Sequence, residues 1–322
     1  MKKRMKRMIS AVLAAVLLIC CAPAAVAEDM QQVNILLIVG DGTGDTFYPT
    51  AVFIVVLDPD TCKIRVVNFD MAAQIYAKPR QAEESWMPMK FLYCCDTDAI
   101  VYAFESTFGI TIDRYLFVAY EYGSFAPLLP MLDELISRNP VEVDIPDALM
   151  GDEPYTTVNG NMPWIAEAAG RDYTPVTGTQ AQALDAVGLV SYFAAYPAVD
   201  FETVDWEQYT LDSYALWDEK CAAVFEAIRP AIRKSTPDSS NAFWMMLLDG
   251  QQTNITQEDV DDWIWQPFTI GDNAYFSVPG EHAVPEEFDA SALTGANAFP
   301  YMMLTGNPQE TAAGMQTFMN GE

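Results

Sequence analysis

The chain has 322 residues, 51% hydrophobic and 12% aromatic, enough for a sizeable core in one large domain or two ordinary ones and too apolar for a disordered segment. Its formal net charge is −28. Five of its seventeen basic residues precede residue 28, which leaves twelve against forty-five acids and a net charge near −33 beyond that point. Such a surface repels nucleic acid and anionic lipid headgroups, which excludes nucleic-acid binding as a main role.

The N-terminus reads MKKRMKRMIS and then AVLAAVLLICCAPAAVA. A basic segment, a short apolar stretch and small residues at Ala25 and Ala27 form a secretory signal with its cleavage site before Glu28. The 17 apolar or small residues from Ala11 to Ala27 also reach the lower limit for a retained membrane anchor. Either way the remainder is expected outside the cytoplasm, secreted or held at the cell envelope near the membrane. Residues 1–27 are accordingly set apart, 28–234 are taken as one α/β domain, and 235–322 as its C-terminal extension or a small appended domain.

Val33–Val39 is a continuous apolar run, as expected of a strand covered on both faces. Ala51–Leu57 is a second, and Asp58-Pro59-Asp60-Thr61 is a turn with Pro at its second position. Ile64–Phe69 returns, which predicts a hairpin. Asp96 or Thr97 caps a helix bearing Ile100, Val101, Phe104 and Phe108 on one face and ending at Gly109. Residues 112–120 form a further strand, and Ser124 caps a helix with Phe125, Leu128, Leu129, Leu132, Leu135 and Ile136 on its apolar side. Val141–Pro146 alternates like a half-exposed strand.

Residues 147–176, rich in Pro, Gly, Asn and Thr, read as a long loop. Helices are expected from about Thr179 to Ala195 and from about Leu211 to Ile232, the second carrying Tyr214, Trp217, Cys221, Val224, Phe225 and Ile228 at helical spacing. Short strands and turns follow Lys234, and a last helix spans Pro308–Asn320. Strands interleaved with helices predict an α/β fold, a central mixed β-sheet flanked by helices on both faces.

Cys62, Cys94, Cys95 and Cys221 lie beyond the signal. A disulfide among Cys62, Cys94 or Cys95 and Cys221 suits a secreted chain, and four buried thiols suit one from an anaerobe. With one histidine, His282 in a proline-rich turn, no ordinary zinc site assembles from the spacing. Asp41 and Asp45 flank Gly42 and Gly44. A cation could sit in that loop together with Asp212, but Asp and Gly also simply suit a turn.

The order of these pieces resembles the extracytoplasmic domain of the LytR-CpsA-Psr family. Asn34-Ile35-Leu36-Leu37, Asp41, Thr50, LDPDTCKI from Leu57, Lys90-Phe91-Leu92-Tyr93, GITIDRYLFVAY from Gly109 and VEVDIP from Val141 follow the family's sequence of motifs across roughly residues 33–230. The resemblance implies a membrane-associated transferase that moves a glycopolymer from a polyprenyl pyrophosphate carrier to peptidoglycan, with Mg2+ and several arginines on the pyrophosphate. Bidentate guanidinium groups or a metal neutralise such dense charge.

The charged set implied by the resemblance is missing. The metal-binding aspartate matches Pro49, and the arginine before it falls on Phe47 or Tyr48. A later arginine–aspartate pair matches Met71 and Ala72. Two helix arginine pairs match Ala194 with Tyr196 and Ala215 with Asp218, and Glu219 brings a further acid. What the resemblance retains for ligand binding is Asp41, Thr50, Lys90, Tyr192 and Asp212; no catalytic residue and no resident metal are assigned. A pyrophosphate held by three or four charge-assisted contacts of about 1.5–3 kcal/mol each loses most of that here. The expectation is therefore a non-catalytic relative that binds a lipid, a lipid-linked glycan or a cell-wall glycopolymer, or assists envelope assembly. Two alternatives stay open: an active Mg2+-dependent phosphotransferase, and an unrelated acidic secreted binding or structural protein.

Overall fold

The computed structural model describes residues 31–41, 48–71, 73–120, 129–138, 140–154, 156–198, 200, 203–232, 244, 248–249, 251–264, 269–278 and 308–321. The signal segment, Asp45, Ser124–Leu128 and His282 lie outside them. Two compact units result: a strand unit of residues 29–119, 250–256 and 271–322, and a helical unit of residues 120–249 and 257–270.

In the strand unit, β1 (Val33–Asp41), β2 (Tyr48–Asp58) and β3 (Lys63–Phe69) pair antiparallel in sequence order. Their apolar runs are buried, with Ile35 to Val39 wholly so, because both faces of these strands are covered. Asp58 closes the hairpin by accepting from the Thr61 backbone N–H and hydroxyl. Arg65 then donates to Asp58 at 2.8 Å and to the Met319 carbonyl at 3.1 Å. Burial disfavours the Asp58 charge, but these donors outweigh it and hold the carboxyl below its usual range.

The central sheet has six strands in the order β10-β3-β2-β1-β6-β9, with β6 at Arg114–Tyr120, β9 at Gln252–Thr253 and β10 at Thr269–Val278. Helix α1 (Thr97–Phe108) buries Ile100, Phe104 and Phe108, and the last two rings lie 5.3 and 5.2 Å from Phe69. Gly109 ends it in the left-handed region at φ 64°, as expected of a helix-terminating glycine. The final helix, Pro308–Met319, packs on α1 and β3. The sequence reading missed a short hairpin, β4 (Gln74–Ala77) with β5 (Ser85–Pro88). It leads into a single 3-10 turn, Met89–Cys94.

The helical unit corrects the reading in several places. Helix α2 (Leu129–Arg138) covers the described part of the helix expected from Ser124. Strand β7 (Val141–Val143) takes only the first three residues of the strand expected over Val141–Pro146, with Val141 and Val143 buried and Glu142 exposed. Residues 147–176 are not one loop: α3 runs Val158–Ala169 within them. Thr157 caps it by accepting from Gly160 N–H, and Gly170 closes it at φ 63°. The buried Val158, Asn161, Met162, Ile165 and Ala166 recur at helical spacing, a pattern masked in the sequence by Gly160 and Pro163.

The helix expected from Thr179 begins later. Gln182–Leu184 is β8, paired antiparallel with β7, and α4 is Ala186–Ala194, capped by Asp185 and buried at every residue. Helix α5 starts five residues earlier than expected, at Trp206, and runs to Ile232. The stretch after Lys234, expected to hold strands and turns, contains α6 (Gln257–Ile264). Cys62, Cys94, Cys95 and Cys221 form no disulfide with one another; Cys95 and Cys221 are buried, but Cys62 and Cys94 are only half-buried.

Candidate functional site

In the strand unit the residues singled out by sequence gather where β1 ends and β2 begins. The ladder steps there: Val39 faces Ala51, Gly40 faces Pro49, and Asp41 faces Tyr48. Thr50 is thus the extra residue of a bulge, and its hydroxyl donates to the Val39 carbonyl at 3.1 Å. The buried Pro49 suits this irregular point because it has no N–H to offer a ladder.

The Tyr48 ring lies 4.7 Å from that of Tyr93 on the 3-10 turn. Backbone bonds seat that turn, from Met89 N–H to Ala73 O at 2.9 Å and from Lys90 N–H to Met71 O at 3.0 Å. Lys90 shares the turn, its Nζ 5.4 Å from the centre of the Phe91 ring. Burial pulls the Lys90 amine down to about 8, opposed by the nearby Asp70 carboxylate. Tyr93 is pushed above its ordinary value by burial, then by Cys94 and Tyr48. Cys95 rises to about 12, chiefly by burial.

Asp41, Thr50 and Lys90 thus belong to neighbouring backbone segments of the strand unit. Pro49 offers no metal ligand, and Met71, 5% exposed, belongs to the core. Among the described residues no group of three or more His, Cys, Asp or Glu is placed to hold a metal ion. Among the described residues, Pro49 and Met71 supply neither a magnesium ligand nor a cation for a pyrophosphate. The arginines whose side chains are described are engaged as well. Arg65 holds Asp58 at the opposite end of β2, Arg80 holds Asp96 and the Tyr93 carbonyl, Arg114 the Asp113 carbonyl, and Arg171 holds Asp133.

In the helical unit, Tyr192 is buried on α4 and Asp212 is exposed on α5. Asp212 accepts from Gln208, one turn earlier on its own helix, at 2.8 Å. Burial raises the Tyr192 hydroxyl above its ordinary range, and the charges of Glu219, Cys221 and Asp144 add to the shift. What Tyr192 meets is Lys220, about two turns beyond Asp212.

Lys220 is the residue that sequence reasoning missed. It is 1% exposed, and its Nζ donates to the carbonyls of Tyr192, Phe193 and Ala195 at 3.3, 3.1 and 2.7 Å. The rings of Tyr196, Tyr192 and Trp217 surround it at 5.6, 5.9 and 6.0 Å. An ammonium has three donors, and the end of α4 presents three carbonyls. Desolvation draws its pKa down to about 7, and the carbonyls and ring faces work against that loss. One signal was available: Lys220 lies on the stripe of Trp217, Val224 and Cys221, where a charge needs partners.

No family model and no curated protein matches the chain. Among solved structures it is similar to TagV of B. subtilis, at 14% identity over 91% of this chain and 99% of that one, with a TM-score of 0.53. Protein gbs0355 from Streptococcus agalactiae is similar at 11% identity over 90% and 88%, with a TM-score of 0.58. A LytR-Csp2A-Psr enzyme from Actinomyces oris is similar at 13% identity over 91% and 95%, with a TM-score of 0.51. The chain has the LytR-CpsA-Psr fold. Identities of this size carry the fold and leave the chemistry to the residues. Among the described residues no helix is long and apolar enough to cross a membrane.

Proposed function

We propose that the chain is an exported cell-envelope relative of the LytR-CpsA-Psr transferases that no longer performs glycopolymer transfer. It binds a lipid or glycan ligand less anionic than a pyrophosphate, or assists envelope assembly. The observation that carries this reading is the residue set at the β1–β2 end. Pro49 and Met71 occupy the positions that the resemblance gives to a magnesium ligand and a phosphate arginine, and the ring of Tyr48 packs at a tilt against Tyr93.

Electrostatics supports it. Lys90, with a pKa near 8, is only partly charged in mildly alkaline solution and is a weak substitute for several guanidinium groups. On α5, Asp218 and Glu219 take the places of a base and a neutral amide in the family pattern. The fold likeness and the basic, apolar N-terminal sequence support the placement outside the cytoplasm.

The test is a transfer assay with a glycan on polyprenyl pyrophosphate, peptidoglycan and Mg2+. Expected is no transfer above the protein-free blank. Magnesium-dependent transfer that disappears in Asp41→Ala would establish the active phosphotransferase instead.

A further inference from the structure

A cavity of about 410 Å3 lies wholly within the helical unit, lined among others by Asp152, Pro154, Trp164, Glu167, Tyr173 and Pro175. Its volume falls within the roughly 300–1,000 Å3 usual for small-molecule sites. The walls are the Asp152–Pro154 segment, α3, and the Tyr173–Pro175 segment.

Those walls are pinned by polar groups, one of them buried. Thr157, 1% exposed, donates to the Gly151 carbonyl at 2.7 Å while capping α3 through Gly160. Asn159 grips Val176 at both backbone groups, donating to its carbonyl and accepting from its N–H, each at 3.0 Å. Asp185 accepts from the Thr174 N–H at 3.1 Å. The first wall approaches the helix so closely that a Cβ on Gly160 would stand 2.0 Å from the Glu153 carbonyl oxygen. A cavity fixed in this way loses little entropy when a ligand enters.

The lining combines two aromatic rings and prolines with two carboxylates, and it contains no basic residue. The side chains of Asp152, Glu167 and Tyr173 make no hydrogen bond or ion pair to described residues. We propose that this cavity binds an uncharged pyranose unit of a glycan. The electron-rich face of an indole or phenol takes the C–H face of a pyranose ring. The carboxylates accept strong, charge-assisted hydrogen bonds from its hydroxyls. Two negative charges with no cation reject a phosphate, sulfate or uronic acid. All of its lining residues belong to the helical unit, and the proposal stands whether or not the β1–β2 end binds lipid.

Calorimetric titration of the full chain with chitotetraose and maltotetraose, and with a sulfated oligosaccharide for comparison, tests it. Expected is saturable binding of a neutral oligosaccharide and none of the sulfated one. Tyr173→Ala and Glu167→Gln each weaken the binding about tenfold or more, with an unchanged thermal midpoint because both residues are exposed. The proposal fails if neither neutral oligosaccharide binds saturably, or if both variants bind within about twofold of the parent.

Discussion

The rings of Tyr48 and Tyr93 lie 4.7 Å apart at an interplanar angle of 52°, joining the start of β2 to the 3-10 turn that carries Lys90. In the aligned transferase pattern this neighbourhood is given to arginine and a metal-binding aspartate. Here it holds a packed aromatic pair, worth about 0.5–1.5 kcal/mol beyond the area it buries. A double-mutant cycle of Tyr48→Ala and Tyr93→Ala in urea denaturation is expected to return a coupling of that size. Additivity within about 0.3 kcal/mol would show that the rings do not support one another.

Lys90 makes stability depend on pH. Its folded pKa is near 8 against 10.5 for an ordinary lysine, so between those values the unfolded chain holds a proton that the folded chain has lost. Stability contributed by this group therefore rises from about pH 8 to 10.5. Lys90→Met is expected to flatten that part of the curve of urea midpoint against pH. An unchanged slope would place Lys90 in ordinary contact with water.

Lys220 acts from a lower pH, its folded value being near 7, so its contribution rises from about pH 7 to 10.5 by the same sign. At pH 6 the ammonium supplies donors to the Tyr192, Phe193 and Ala195 carbonyls. Lys220→Met leaves these without that partner and is expected to destabilise the fold by about 2–4 kcal/mol. A neutral or stabilising effect would mean that the cost of burying the charge outweighs its hydrogen bonds.

The strand unit was the more legible in sequence. Ile35 to Val39 and Ala51 to Leu57 are unbroken apolar runs because their strands are covered on both faces, and Gly109 marks a helix end through its left-handed backbone. Helix α3 was hidden because the features that hold it are local and polar. Thr157 caps it, while Gly160 gives way to a carbonyl and Pro163 stands at an exposed position, all of which read as loop composition. The strand Gln182–Leu184 depends on pairing with β7, a contact some forty residues away that no local pattern contains. The ordered motifs brought Asp41, Thr50 and Lys90 to one end of the sheet. They could not reveal Lys220, because its partners are main-chain carbonyls and carry no residue signature.

The most direct test of the lost pyrophosphate site is the affinity of the full chain for a polyprenyl pyrophosphate and for the polyprenol of the same length, each with and without millimolar Mg2+. Expected is no preference for the pyrophosphate and no effect of magnesium. A pyrophosphate preference of about tenfold or more that requires magnesium and vanishes in Asp41→Ala would contradict it.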